Sequence, residues 1–377
     1  MLKIFLLLFV FINLVACGTV SQAQAQERLF PKVSVDFLDR YRLPKQTFKQ
    51  TPVGGLSGLT YNQRDNLFYA ISDDRSQYAP ARFYTLDLNF KETKIENITV
   101  KDVTFFKTET GDFFPKGEID SEGIAFAPGN TVFISSEGDT KKNINPFVSR
   151  FDISTGKRKQ NLPLPQRFLL PETAEESAKG VRNNLGFESL TLNPSGVLSP
   201  EGDPFRVFTA TESSLTQDKL PPESEQQTRV RFLHYVVNPI GQPLPIAEHL
   251  YLLDEPPLGT IKTGLTEMLA IKPEGYFLSL ERSYGLSGYT AKLFLVTVGN
   301  ATDTSGVDTF NVNLGNLQPL RKKLLFDFST LNFDIYNLEG LAVGTRLSDG
   351  SQSLLVISDD NFNEKEVTQV LLFRLIS

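Results

Sequence analysis

Carboxylates recur at one place in a word that this chain repeats five times, and that recurrence is its main chemical signal. The copies read Gly55-Leu56-Ser57-Gly58, Ser121-Glu122-Gly123-Ile124, Phe187-Glu188-Ser189-Leu190, Thr266-Glu267-Met268-Leu269 and Leu338-Glu339-Gly340-Leu341, at a spacing of roughly 65 to 80 residues. A second apolar run follows each copy and ends in small and acidic residues: Ser72-Asp73-Asp74, Ser136-Glu137, Thr211-Glu212, Leu280-Glu281 and Ser358-Asp359-Asp360. Where the copies converge, these side chains converge too. Two unit charges ~8 Å apart at an effective dielectric of about 20 repel by roughly 2 kcal/mol. Either some carboxyls protonate or cations settle among them.

Calcium suits such a place, because it takes many oxygen ligands from flexible carboxylates and carbonyls. The candidate ligands are Glu122, Glu188, Glu267, Glu339, Asp74, Asp359 and Asp360. Glu122, Asp73 and Glu339 are the candidate catalytic groups, and Arg75, Arg282 and Lys116 the candidate grips on an anionic substrate. A polar residue repeated in every unit also serves to bond the neighbouring unit's backbone. Both readings stand for the glutamates at this point.

Other chemistries fit poorly. His234 and His249 are the two histidines, both inside strand-like runs, which weakens a Ser-His-Asp triad. Gly55-Leu56-Ser57-Gly58 is followed by Leu59 where a nucleophile elbow needs glycine. Cys17 is the single cysteine, so thiolate zinc sites and intramolecular disulfides are excluded. A net charge of -6 argues against a nucleic-acid partner.

The elements that position these residues read as β throughout. Each copy opens with a short, buried-looking strand, and three of the following turns carry proline with glycine: Pro128-Gly129, Pro194 to Gly196 and Pro273 to Gly275. A second strand returns antiparallel, a third follows, and a fourth, more polar run completes four of the units. These fourth runs are Asp102 to Phe106, Gln166 to Leu170, Ala247 to Leu253 and Lys322 to Phe328. The last unit lacks one, and Lys32 to Leu38 is available to replace it. An N-terminal strand that closes a C-terminal sheet removes the open edges of a ring. The expected fold is all-β, a β-propeller of five four-stranded blades closed by that strand, with six blades the alternative. A short helix is expected within Glu172 to Arg182. The longer loops, 108–120, 171–186, 213–229 and 254–264, fall on the acidic face, and 299–314 on the opposite one.

The chain opens with Lys3 and the apolar run Ile4 to Ile12, an export signal rather than a membrane span. The run ends in Leu14-Val15-Ala16-Cys17, which resembles a bacterial lipobox. The expected organisation is a signal peptide over 1–16, a tether over 17–30 anchored by lipid on Cys17, and one domain over 31–377. That places a monomer in the bacterial cell envelope, periplasmic or outer membrane, touching lipid through its anchor alone. The alternative is soluble secretion after Ala23-Gln24-Ala25.

Taken in order, Asp120-Ser121-Glu122-Gly123-Ile124-Ala125, Ser135-Ser136-Glu137-Gly138, Asn337-Leu338-Glu339-Gly340 and Ser358-Asp359-Asp360 resemble the phytase-like family, described as esterase-like activity of phytase. The resemblance covers most of the chain after the tether. It implies hydrolysis of a small-molecule ester or phosphoester with calcium held by carboxylates at the channel mouth. A lactonase or carboxylesterase on the same scaffold stays open, as does a non-catalytic lipoprotein that binds a sugar or peptide.

Overall fold

The computed structural model describes residues 29–173, 178–197, 199–200, 202–221, 224, 227–311 and 314–377. Five four-stranded antiparallel sheets form a five-bladed propeller. From the channel outward, blade 1 uses Leu56–Asn62, Leu67–Ser72, Arg82–Lys91 and Lys94–Phe105. Blade 2 uses Ser121–Ala127, Thr131–Ser136, Phe147–Asp152 and Arg158–Asn161. Blade 3 uses Phe187–Leu192, Phe205–Thr211, Arg229–Val237 and Leu244–Leu252. Blade 4 uses Thr260–Lys272, Tyr276–Gly285, Gly288–Thr297 and Arg321–Asp327. Blade 5 uses Asn337–Arg346, Gln352–Asp359 and Gln369–Ile376, and its outer strand is the N-terminal Ser34–Arg42. Ser34 lies opposite Ile376 and Arg42 opposite Gln369, so the ring is closed as the sequence predicts, and with five blades rather than six.

The inner strands of blades 2 and 3 are buried along their whole length, because each is covered by neighbouring blades on both faces. The core divides accordingly. Separate apolar clusters fill the boundaries between blades 5 and 1, 4 and 5, 2 and 3, 3 and 4, and 1 and 2. Phe, Leu and Val dominate them, so each blade depends on two others to bury its faces.

Three expectations change. The fourth strand of blade 2 is Arg158–Asn161, and Gln166–Phe168 is instead a single 3-10 turn. Pro163 and Pro165 follow Asn161 without an N–H to extend the ladder, so the strand stops before them. Part of the helix expected over Glu172 to Arg182 lies outside the described residues, and residues 178–182 are irregular. The segment expected on the face opposite the acids climbs the outer edge of blade 3 instead, where Thr304 N–H donates to Glu248 O and Leu320 N–H to Leu250 O. Arg231 braces that edge from within, paired at 2.6 Å with Asp218 and at 2.5 Å with Glu248.

The segment expected to be a signal peptide and the expected anchor Cys17 lie outside the described residues. Leu29 and Phe30 already pack on the ring, with Leu29 O accepting from the Tyr276 hydroxyl. Among the described residues, no helix is long and apolar enough to cross a membrane.

Candidate functional site

Every inner strand breaks register with its partner at the repeated word. The ladder skips Ser57 in blade 1, Glu122 with Gly123 in blade 2, Glu188 in blade 3, Thr266 in blade 4 and Glu339 in blade 5. Such bulges re-aim a side chain out of the sheet, here toward the channel mouth. The same pairings fix a second ring one residue past the partner of the residue that precedes each break: Asp73, Glu137, Glu212, Arg282 and Asp359.

Blade 4 therefore departs from the repeat as its sequence reads. Thr266, not Glu267, holds the bulge position, and Arg282, not Glu281, holds the second-ring position. A shift of one residue turns a strand side chain to the other face. Glu267 is consequently directed into the blade contacts, accepting from the backbone N–H of Leu190 and Met268. Glu281 is turned away as well and accepts from the Tyr251 hydroxyl, Asp254 N–H and Lys322 Nζ.

The mouth encloses a cavity of about 410 Å³, lined on its floor by Asp73, Glu122, Glu188, Arg282, Glu339 and Asp359. Its two halves differ in charge. On the side of blades 3 to 5, Arg282 Nη2 lies 3.1 Å from both Glu212 Oε1 and Glu339 Oε1, and Lys262 Nζ lies 3.0 Å from Glu212 Oε2. On the side of blades 1 to 3, Arg75 is paired with Asp120 and Asp73, while Lys262, across the mouth, reaches Glu137 and Glu188 with its charge but forms no ion pair with them. Arg75 Nε stands 2.5 Å from Asp120 Oδ1 and 4.0 Å from Asp73 Oδ1.

Two triads on that second side bring ligand oxygens within 4.8 Å of one another: Asp73 with Asp120 and Glu122, and Glu122 with Glu137 and Glu188. Glu122 belongs to both. Buried oxygens without a hydrogen-bond donor cluster here, among them Asp73 Oδ1, Asp120 Oδ2 and Glu137 Oε2. An orphaned buried acceptor is costly, so such a group signals a missing partner. The donor set, all carboxylate oxygen, fits a hard divalent cation.

Burial raises carboxyls on both sides of the mouth. Burial first, then the charges of Asp73, Glu188, Asp120 and Glu137, push the Glu122 carboxyl well above the usual carboxylate range. Burial likewise dominates for Asp73, Glu137, Glu188 and Asp359. Asp73 is included although about a quarter (24%) of its side chain meets solvent. Glu339 is pushed up to about 7 by burial, against the pull of Arg282. Burial disfavours the charge on Arg282, yet Glu212 and Glu339 outweigh it and hold the guanidinium protonated.

The remaining sequence candidates are tied up by other partners or placed elsewhere, and Asp74 belongs to the first group although it lines the cavity. Asp74 is locked to the buried Arg82 at 2.6 Å and accepts the N–H groups of Gln77, Tyr78 and Ala79. Asp360 Oδ1 accepts from Gly55 N–H and Phe362 N–H. Lys116 is exposed on the loop before blade 2 and does not line the cavity. The sequence gives no sign of Lys262, of Asp120 as a partner of Arg75, or of the rings of Tyr78, Tyr284, Tyr289 and Phe362 at the rim. Neither histidine lines the cavity; His234 stacks on Phe208 at 4.4 Å, and burial first, then Arg206, lowers it to about 4.

A five-bladed propeller with a carboxylate-lined channel mouth is the class that fold and site define. The phytase-like family, described as esterase-like activity of phytase, matches residues 51–362, and the chain belongs to it. That description places it coarsely among propellers of hydrolase type. No curated protein matches the chain. Similar solved structures include an endo-arabinase from Bacteroides thetaiotaomicron, 11% identical over 83% of this chain and 91% of that one, with TM-score 0.42. A member of the DUF4221 family from Bacteroides vulgatus is 10% identical over 92% and 99%, with TM-score 0.39.

Proposed function

We propose that the protein is a calcium-dependent hydrolase of phosphoesters, working at the acidic mouth. The observation that carries this reading is the pair of carboxylate triads that meet at Glu122, where buried oxygens of Asp73, Asp120 and Glu137 lack donors. Glu122 would be the shared ligand, with Asp73 and Asp120 on one side and Glu137 and Glu188 on the other. Calcium bound there supplies positive charge to the ester's phosphate oxygens and polarises water.

The chain's own groups do the rest. Arg75 and Lys262, whose side chains are 31% and 33% exposed, reach solvent and grip phosphate oxygens. Arg282 lies too deep for that and serves as the fixed cation that orients Glu339. Asn337 Nδ2 donates to the same Glu339 oxygen at 2.8 Å. With its carboxyl near 7, Glu339 is suited to take the proton of the attacking water and return it to the leaving alcohol.

We also infer that the protein is exported and held by lipid on Cys17, as a monomer in the cell envelope. The lipobox-like Leu14 to Cys17 supports this, and the mass of the detergent-extracted chain tests it.

The functional test is hydrolysis of p-nitrophenyl phosphate and phytate with calcium and after chelation, beside p-nitrophenyl acetate and a lactone. A calcium-dependent phosphatase rate that Glu122→Gln abolishes is expected. A rate on the carboxylic esters alone would shift the reading to an esterase. No rate on any substrate, with the protein folded and calcium present, would remove catalysis.

A further inference from the structure

The Ser-Asp-Asp words at 72–74 and 358–360 are built alike, and Asp73, Asp74 and Asp359 line the cavity while Asp360 does not. The second aspartate of each fixes the loop that follows. Asp74 gathers the backbone of 77–79, which presents Tyr78, and Asp360 accepts from Phe362 N–H at 3.1 Å. The two aromatic rings meet across the boundary between blades 1 and 5 with centroids 4.8 Å apart, and both line the cavity.

Phe362 is held there against local preference. Asn361 and Phe362 take φ values of 48° and 51°, and for a bulky residue this left-handed conformation is costly. Room for the ring comes from Gly55, where an added Cβ would stand 2.4 Å from Phe362 Cε2. Strain held in place by surrounding structure concentrates at ligand clamps. Tyr78 remains 61% exposed even though its ring leans on Phe362 at an interplanar angle of 37°, so its outer part is free to meet a ligand. Tyr284 and Tyr289 form a second pair on blade 4, also lining the cavity, with centroids 4.8 Å apart.

We propose that Tyr78 and Phe362 form a lip that receives a sugar ring of the substrate, and so set specificity at the mouth. This rests on the reading of the mouth as the substrate site. The walls below the lip are carboxylates and amides, including Gln77, Asn184 and Asn337. An aryl ring pressed among them would strip water from polar groups and return no hydrogen bonds. A sugar ring meets both demands. Its C–H faces pack on aromatic rings, and its hydroxyls donate to carboxylates around its edge.

The test compares glucose 6-phosphate, phenyl phosphate and methyl phosphate, which share a phosphate and differ in the ring. Binding is measured by calorimetry with calcium present, and KM where hydrolysis occurs. The wild type should bind the sugar ester at least about tenfold tighter than methyl phosphate, a difference of about 1.4 kcal/mol. Phe362→Ala and Tyr78→Ala should bring that ratio near one, and Tyr78→Ala, at an exposed position, guards against misfolding. A wild-type ratio near one, or a ratio that survives both substitutions, overturns the proposal. A preference for phenyl over glucose ester overturns the sugar in favour of an aryl ring. If no phosphate ester binds, the phosphoester reading fails by itself, and methyl glucoside then decides the lip. Binding of that neutral sugar, lost in Tyr78→Ala, upholds the lip, and its absence ends it.

Discussion

Arg282 occupies in blade 4 the place that Glu212 occupies in blade 3, and the two side chains meet at 3.1 Å. The repeat thus supplies its own counter-charge at one position out of five. Removing that charge leaves buried Glu339 without an ion-pair partner and leaves buried Glu212 with Lys262 alone. Breaking a buried pair costs about 3–5 kcal/mol, so Arg282→Gln should lower the urea midpoint strongly at pH 8. Arg374→Gln, at the exposed pair with Asp349, should move it far less. Equal shifts for both variants would show that the interior arginine has no special part in stability.

The raised carboxyls give stability a sign with pH. Glu339 sits at about 7 in the fold, above its ordinary 4.5, and Glu122, Glu137 and Glu188 are displaced the same way. Folding therefore takes up protons, and without metal the stability they allow is fullest below the ordinary carboxylate range and falls as pH rises through about 7. Groups shifted downward, such as Asp349 at about 2, lose their contribution only at lower pH, outside this window. In chelator, the melting temperature should fall from pH 5 to pH 8. Calcium should flatten or reverse that slope, because bound carboxylates must be ionised. A melting temperature that rises with pH in chelator would contradict the protonated cluster.

Glu122 and Glu267 begin the second and fourth copies of the word in the same way, yet the fold separates them. Glu122 joins both carboxylate triads, whereas Glu267 bonds backbone inside the ring. Glu122→Gln should weaken calcium binding on the order of tenfold or more, through loss of charge at two sites. Glu267→Gln should leave the calcium-induced rise in melting temperature in place, whatever it does to the baseline. If Glu267→Gln alone abolished the calcium response, the metal would belong elsewhere in the channel.

The period of the repeat was legible because each copy must bury its faces against the next, so Leu59, Ile124, Leu190 and Leu341 recur two residues after the repeated position. The one-residue offset in blade 4 was not. Thr266-Glu267 and Glu281-Arg282 offer an acid to either alignment, and the bulge that decides between them is a property of backbone pairing rather than of residue type. For Asp74 and Asp360 the sequence shows the acid but not its direction. Arg82, eight residues on, claims the first, and Gly55, from the far end of the chain, claims the second. Lys262 precedes its copy of the word inside an ordinary polar stretch, and only the long inner strand Thr260–Lys272 carries it to the mouth.

The glycines after the repeated acids allow a last prediction. Gly123 has an unremarkable φ, so conformational freedom is not the reason for it. An added Cβ would stand 2.4 Å from Glu188 O and 2.8 Å from Leu190 Cβ. Inner strands of blades 2 and 3 therefore approach through bare backbone, which brings Glu122 and Glu188 into one triad. Gly123→Ala must push the strands apart, at about 1–3 kcal/mol for overpacking. Because the triad depends on that spacing, the same change should weaken calcium binding although no ligand is lost. Gly306→Ala is the control, since nothing lies within 4 Å of its added Cβ and its φ is not left-handed. Its melting temperature and calcium affinity should stay near wild type. A Gly123→Ala protein with full calcium affinity would mean that the carboxylates reach the metal without this close approach of the strands.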